Sequence, residues 1–242
     1  MDGKRQAINI VWFKRDLRLA DHAPLARACE GGLPLLLLYL VEPELVADPH
    51  YSERHWRFIT ESLEDLDRQL ESYGARVQVL EGAACECFDR IAEIYEIDSI
   101  FSHEEVGLEV TYRRDRELQD WCTQRQIEWL ESPSGAVQRG LSRRDDWDRH
   151  WKRVMRAPLA EPALEYARFV TLPEPMRYRL PAVWCQADPD MQRGGESRAL
   201  TVVNDFFDSR GQRYHLDISS PANSRDSCSR LSRLFAGLEI SR

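Results

Sequence analysis

Cysteine pairs, glycine-rich loops and long apolar runs are all missing from this sequence, and each absence removes a class of function. Six cysteines (Cys29, Cys85, Cys87, Cys122, Cys185 and Cys228) are scattered over 242 residues without a Cys-x-x-Cys pair. That argues against a zinc ribbon or a dithiol redox centre. Cys85-x-Cys87 has no matching second pair and falls in a helical pattern, so both read as buried or half-buried thiols, and no metal site is expected. No Gly-x-Gly-x-x-Gly follows the first apolar run and no Walker A sequence occurs, which excludes conventional dinucleotide and nucleoside triphosphate loops. The longest apolar run, Leu33 to Val41, is broken by Pro34 and is far shorter than the ~20 residues that span a membrane. The chain enters a strand-length apolar run almost at once, with no h-region and no small-residue cleavage site. No signal peptide and no membrane association are therefore expected, and free thiols point to a reducing cytoplasm. Positive charge is in deficit as well. A net charge of −8 excludes a surface that tracks a phosphate backbone throughout, while leaving room for a local basic face.

What is present is an ordinary soluble composition, 43% hydrophobic and 31% charged. It suffices for one α/β domain of roughly 130 residues and something more. Short apolar runs suited to strands buried on both faces recur at Ile8–Phe13, Leu35–Leu40, Val77–Leu80, Ser99–Phe101 and Ile127–Leu130. Helical patterns fill the gaps. The clearest spans about Glu53 to Tyr73, with Trp56, Ile59, Leu63, Leu66 and Leu70 on one face and Gly74 at its stop. Strands separated by helices predict a five-stranded parallel, doubly wound (Rossmann-like) sheet over residues 6–132.

From Ser132 to Pro189 the strand-like runs vanish, and seven of the twelve prolines fall there. The stretch reads as a linker (133–190) packed over the surface, with one helix near Arg143 to Met155 carrying Trp147 and Trp151 as packing residues. Basic residues from Arg139 to Arg156 alternate with Asp145, Asp146 and Asp148, the mark of a salt-bridged solvated helix. At Gly194-Gly195-Glu196 a new helical pattern opens, with Ala199, Val203, Phe206 and Phe207 along one side until Gly211. Residues 191–242 thus read as the first helices of an all-α domain that cannot bury its face alone.

In an open α/β sheet, ligands bind beyond the carboxyl ends of the strands where the strand order reverses. If strands one and four flank that point, Lys14-Arg15-Asp16-Leu17-Arg18 and His103-Glu104-Glu105 converge there. Arg15, Tyr39, His103 and Glu105 are then candidate lining residues for a polar planar ligand. The competing expectation is structural: Arg15, Asp16 and Arg18 as caps and ion pairs, and Glu104 and Glu105 as helix N-terminal acids. Ser227-Cys228-Ser229-Arg230-Leu231-Ser232 could form an anion site at a helix start, although such clusters are usually caps.

Val11-Trp12-Phe13-Lys14-Arg15-Asp16-Leu17-Arg18-Leu19-x-Asp21, with Leu25 beyond, closely resembles the opening of the DNA photolyase/cryptochrome family. His103-Glu104-Glu105 followed by Tyr112-Arg113-Arg114-Asp115 is similar to the fourth strand and following helix of a bacterial photolyase-like branch. Gly194-Gly195-Glu196, with Ala199 and Phe206, resembles the family's entry into its helical domain. Tyr214, Ser220-Pro221 and Ser229-Arg230-Leu231-Ser232 resemble the start of its FAD phosphate-binding segment.

The resemblance implies an antenna-type α/β domain, a linker, and a helical domain cut short after it has begun. It implies FAD as the family cofactor, with Tyr214, Cys228, Ser229, Arg230, Leu231 and Ser232 as the FAD contacts present here. Cys228 stands where the family has a hydroxyl residue. It also implies an antenna chromophore (folate, deazaflavin or FMN) and UV-damaged DNA as the family's substrate. With most of the FAD pocket beyond Arg242, the expectation is a chain that neither retains FAD nor repairs DNA alone, and binds DNA weakly or not at all. Blue-light signalling of cryptochrome type, small-chromophore binding and a non-functional truncated product stay open beside it.

Overall fold

The computed structural model describes residues 4–137, 139, 140, 143 and 145–231. Five strands, β1 (Ala7–Phe13), β2 (Leu35–Val41), β3 (Gln78–Glu81), β4 (Glu96–His103) and β5 (Glu128–Ser132), pair in parallel in the order β3-β2-β1-β4-β5. The order reverses between β1 and β4, as expected for a doubly wound sheet. The strands lie one residue or so from the apolar runs. β4 is the exception at eight residues, because its outer half alternates with Glu96 and Asp98.

The side-chain alternation of β1 and β2 builds two separate cores. Val11, Phe13, Leu35, Leu37 and Tyr39 pack on one face against α1 (Ala23–Glu30) and α3 (Glu53–Leu70), with α2 (Pro43–Ala47) between them in sequence. Ile8, Ile10, Trp12, Leu36, Leu38 and Leu40 pack on the other against α4 (Ala84–Ala92) and α5 (Glu109–Arg125). Neither face of β2 has a polar residue, which is why its sequence reads as unbroken Leu-Leu-Leu-Leu-Tyr-Leu-Val. Helix α3 buries Trp56, Leu63, Leu66 and Leu70. It passes into a tight turn at Glu71–Tyr73 and stops at Gly74, whose φ of 65° is in the left-handed region. Cys85 and Cys87 lie in α4 as the periodicity predicted.

Among the described residues, the proline-rich stretch packs onto the sheet's two cores. It clasps the sheet, contributing Leu164 and Trp184 to the first core and Leu172 to the second. Leu35 N donates to Arg168 O at 2.7 Å and Tyr178 N donates to Val79 O at 2.8 Å, so this stretch satisfies backbone groups of β2 and of the edge strand β3. Its helix α6 (Trp147–Met155) starts later than the charge pattern suggested, with Asp146 as cap and Arg143 outside it. Pairs such as Lys152–Asp148 (2.6 Å) and Arg149–Asp146 (3.0 Å) keep it solvated, and Arg139 turns inward to Glu131 at 2.6 Å.

Helix α7 (Glu196–Asp208) is bolted to the α/β layer at its first turn. The buried Glu196 carboxylate accepts from Leu19 N (2.8 Å) and Ala20 N (3.0 Å). Asp65 of α3 accepts from Ser197 N at 2.9 Å. Gly194 and Gly195 lie flat on α3. A Cβ on Gly194 would sit 2.2 Å from Phe58 O and 2.5 Å from Ser62 Oγ. After α7 come the short helices α8 (Tyr214–Asp217) and α9 (Ser224–Ser227). Leu200, Phe207, Leu216 and Ile218 are exposed on this part.

Gly194→Ala should therefore cost about 1–3 kcal/mol by overpacking. Urea denaturation and limited proteolysis should show the loss, with new cleavage between residues 157 and 195. A variant as stable and as protease-resistant as the native chain would contradict this docking.

Candidate functional site

Immediately after β1 the chain makes a tight turn held by Asp16. Its Oδ1 accepts from Lys14 N at 2.8 Å, and its Oδ2 takes His22 Nε2 at 2.8 Å and the Nδ1 of His103 at the end of β4. His22 also caps α1, its Nδ1 accepting from Leu25 N at 3.1 Å. An imidazole that accepts at Nδ1 must carry its proton on Nε2, so His22 is a neutral donor to Asp16. The three side chains bring ligand-type atoms within 4.8 Å of one another, but the proton on His22 Nε2 makes this a hydrogen-bond cluster and unsuited to a cation. Burial alone would raise the Asp16 pKa. The two imidazoles, His103 foremost, overturn that and hold it well below the usual carboxylate range. Burial likewise lowers His22 to about 4, against the pull of Asp16.

Beside this turn, over the carboxyl ends of β1 and β2, opens a cleft of about 440 Å³. One wall is aromatic and aliphatic: Trp56, Tyr51, Tyr39, Phe58, Ile59 and Leu45. Tyr51 stacks on Trp56 with ring centres 5.3 Å apart, and Trp56 stacks on the linker's Trp184 at 5.0 Å. The floor is charged. Arg114 of α5 reaches Glu42 at 2.7 Å, Asp115 at 2.8 Å and Glu105 at 3.6 Å, with its guanidinium 4.8 Å from the Trp12 ring centre. Lys14 lies between the rings of Trp12 (4.5 Å) and Trp129 (5.0 Å), facing Asp115 at 3.4 Å and Glu131 at 3.5 Å. Burial lowers the Lys14 pKa and raises that of Glu42. Burial opposes the charge on Arg114 too, but Glu42, Asp115 and Glu105 raise its pKa overall. Burial keeps the Tyr39 phenol neutral.

Of the residues picked from the sequence, Arg15, Tyr39 and Glu105 line this cleft. His103 does not. It lines only a second cavity of about 30 Å³, behind Arg15 and Glu105, because Asp16 holds its ring inward. Asp16 and Arg18 take the structural roles, Arg18 donating to Asp21 O at 2.9 Å. Glu104 and Glu105 precede α5 by several residues, so they are not its N-terminal acids, and Glu105 is buried against cations instead. Tyr214 packs edge-on against Phe206. Cys228 and Ser229 give their carbonyls to Arg210, Arg230 is exposed, and Leu231 N donates to Ser229 Oγ at 3.4 Å. Cys228–Leu231 follow α9 and begin no helix among the described residues, and Ser232 lies outside them.

Sequence reasoning missed Glu42, Arg114, Tyr51, Trp56 and Gln192 as lining residues. Glu42 stood at the carboxyl end of a strand next to the switch point, which was a usable signal, as was the Arg-Arg-Asp run after β4. Trp56 was read only as a core residue, and nothing marked Gln192.

An unfolded imidazole takes its proton near pH 6.5, whereas His22 in the folded chain stays neutral to about 4. The unfolded state therefore binds the proton first as the pH falls. Stability is complete above 6.5 and declines between 6.5 and about 4, by about 3 kcal/mol from this group. Urea midpoints measured across that window should fall more for the native chain than for His22→Gln. Parallel curves would contradict the buried neutral histidine.

Residues 9–138, more than half of the chain, match the family model described as DNA photolyase. The chain is 33% identical over 105 residues to cryptochrome DASH of Synechocystis, a match covering 41% of this chain and 22% of that protein. The matched segments span 14% to 26% of the length of the curated cryptochromes they align with. Among solved structures, a class III photolyase from Agrobacterium tumefaciens superposes with a TM-score of 0.78 at 21% identity, covering 99% of this chain and 52% of that one. An archaeal photolyase from Sulfolobus tokodaii superposes with a TM-score of 0.72 at 21% identity, covering 97% and 53%. The fold, the strand order and the β1 turn built on Asp16 thus coincide with a specific sequence match over the same residues, and the chain belongs to the DNA photolyase/cryptochrome family.

Proposed function

We propose that this chain is a chromophore-binding, antenna-type module, taking a planar light-absorbing ring in the cleft at the carboxyl ends of β1 and β2. The family generally binds FAD together with an antenna chromophore, and binds damaged DNA. The Sulfolobus tokodaii photolyase carries two FAD molecules, with the implication of a novel light-harvesting cofactor. The observation that carries the reading is the cleft itself: a stacked aromatic wall over a buried charged floor, at the switch point of a doubly wound sheet. Tyr51, backed by the buried Trp56 on which it stacks, offers its other face to a ring. Arg15 and Glu105 offer opposite charges to its polar edge.

In this reading residues 6–132 are the antenna-type domain, 133–190 the linker and 191–242 the start of the FAD-binding helical domain. Flavin-dependent repair is not assigned to this chain, which spans about half the length of the photolyases it superposes on, 53% and 52%. Folate, deazaflavin and FMN are the rings to be tested in the cleft.

Titration of the purified chain with FMN, a deazaflavin and a reduced folate, read by tryptophan quenching, tests the proposal. At least one should bind, and Arg15→Ala combined with Glu105→Ala should weaken it at least tenfold. Trp56→Ala should remove most of the quenching. If none binds, or if the double variant binds as tightly as the native chain, the cleft assignment fails. Dimer-splitting activity in the isolated chain would overturn the absence of repair.

A further inference from the structure

The two edges of the sheet differ. At β3, Tyr178 N donates to Val79 O at 2.8 Å and Gln78 Oε1 accepts from Leu172 N at 3.1 Å, so the proline-rich stretch covers that edge. At β5, no group among the described residues bonds the outer side of the strand's backbone. Which groups face outward follows from the ladder. Glu104 N donates to Ser132 O at 2.8 Å, and in a parallel pair both backbone groups of a residue point to the same side, alternating along the strand. Glu128, Leu130 and Ser132 therefore bond β4, while the N–H and C=O of Trp129 and Glu131 point away from the sheet. Both of these side chains are held from within. Trp129 Nε1 donates to Ser102 Oγ at 3.1 Å, and Glu131 pairs with Arg139 at 2.6 Å and Lys14 at 3.5 Å. The Glu131 charge therefore faces inward and does not guard the edge.

We propose that β5 is a dimer interface: a second copy of this chain adds its own β5 antiparallel, across a two-fold axis at Leu130, joining the two sheets into one. The register argues for a second copy. With the axis at Leu130, Trp129 faces Glu131 of the copy, and each of the two Trp129–Glu131 pairs exchanges both backbone hydrogen bonds. Every outward group is then satisfied. Glu128 faces Ser132, so no like charges meet across the strands. The neighbouring alignments do worse. With the axis at Glu131, the two Glu131 residues face each other and Trp129 faces Pro133, which has no N–H. With the axis at Trp129, Glu131 faces Ile127, whose N–H is already given to Cys122 O at 3.0 Å. The Glu131 carbonyl would then stay unpaired. The short strand is thus complementary to itself in one register, in hydrogen bonds and in charge together.

Sedimentation velocity on the full chain, over micromolar to submillimolar concentrations, should show a monomer passing into a dimer. Glu131→Pro removes an outward donor and no bond to β4, and should weaken the dimer at least about tenfold. Leu130→Cys puts two thiols on the axis in a non-hydrogen-bonded pair, with Cα atoms about 4.5 Å apart, within reach of a disulfide. Diamide should link that variant into a covalent dimer. It should not link the native chain, nor Glu128→Cys, whose two thiols would lie about 14 Å apart in this register. A native chain that stays monomeric throughout overturns the proposal. A dimer of native strength in a Glu131→Pro variant with a native melt also overturns it, as does equal linking of Leu130→Cys and Glu128→Cys. If Glu131→Pro does not fold, the two cysteine variants decide.

Discussion

A single buried carboxylate organises the functional end of this molecule. Asp16 receives one backbone N–H from its own turn, one imidazole from the cap of α1 and one from the end of β4. Those three donors join the segment after β1 to the strand on the far side of the switch point. They set the spacing between the Lys14–Arg15 turn and the His103–Glu105 turn together with the β1–β4 pairing and the Arg15 guanidinium, which donates to Val106 O at 3.2 Å. The cost of burying an acid is met because both imidazoles stabilise its charge, and His22 can serve as donor and cap together only while it is neutral.

The cleft beside that turn combines two environments that would be unstable separately. Glu42, Glu105, Asp115 and Glu131 face Lys14, Arg114, Arg15 and Arg139, so the floor is close to neutral as a set although every member is charged. Such networks contribute little net stability, since desolvation offsets attraction. Their value is fixed geometry: Arg114 touches three acids and the face of Trp12, and any one substitution strands the others. Over this floor the Tyr51–Trp56–Trp184 stack supplies apolar area without polar demands.

The proline-rich stretch does more than connect what precedes it to α7. It supplies Trp184 to the stack and Tyr178 to the β3 edge, and the segment that follows it brings Gln192 to the cleft on the way into α7, so the position of α7 depends on the same surface that would hold a ligand. The exposed Leu200, Phe207, Leu216 and Ile218 mark the opposite extreme, a short helical array whose apolar side chains have found no cover among the described residues.

The sheet was legible because each strand is a short apolar run and each helix has its own period, properties that neighbours in sequence express without help. The same holds for α3, whose one apolar face dictates which side packs, and for the turn motif from Trp12 to Arg18. Arg15, Tyr39 and Glu105 could be named because strand ends at a switch point are fixed by topology alone. The direction of His103 could not, since it turns on which of two faces meets Asp16, a contact across 87 residues of chain. Arg114, Trp56 and Gln192 were invisible as a set for the same reason: a helix after β4, a helix after β2 and the segment leading into α7 meet only when the sheet brings their ends together. Sequence by itself determined the elements, their order and the family, because those depend on local pattern. Tertiary structure alone decided which side chains share the cleft and which are spent holding it open, because burial and pairing are properties of packing.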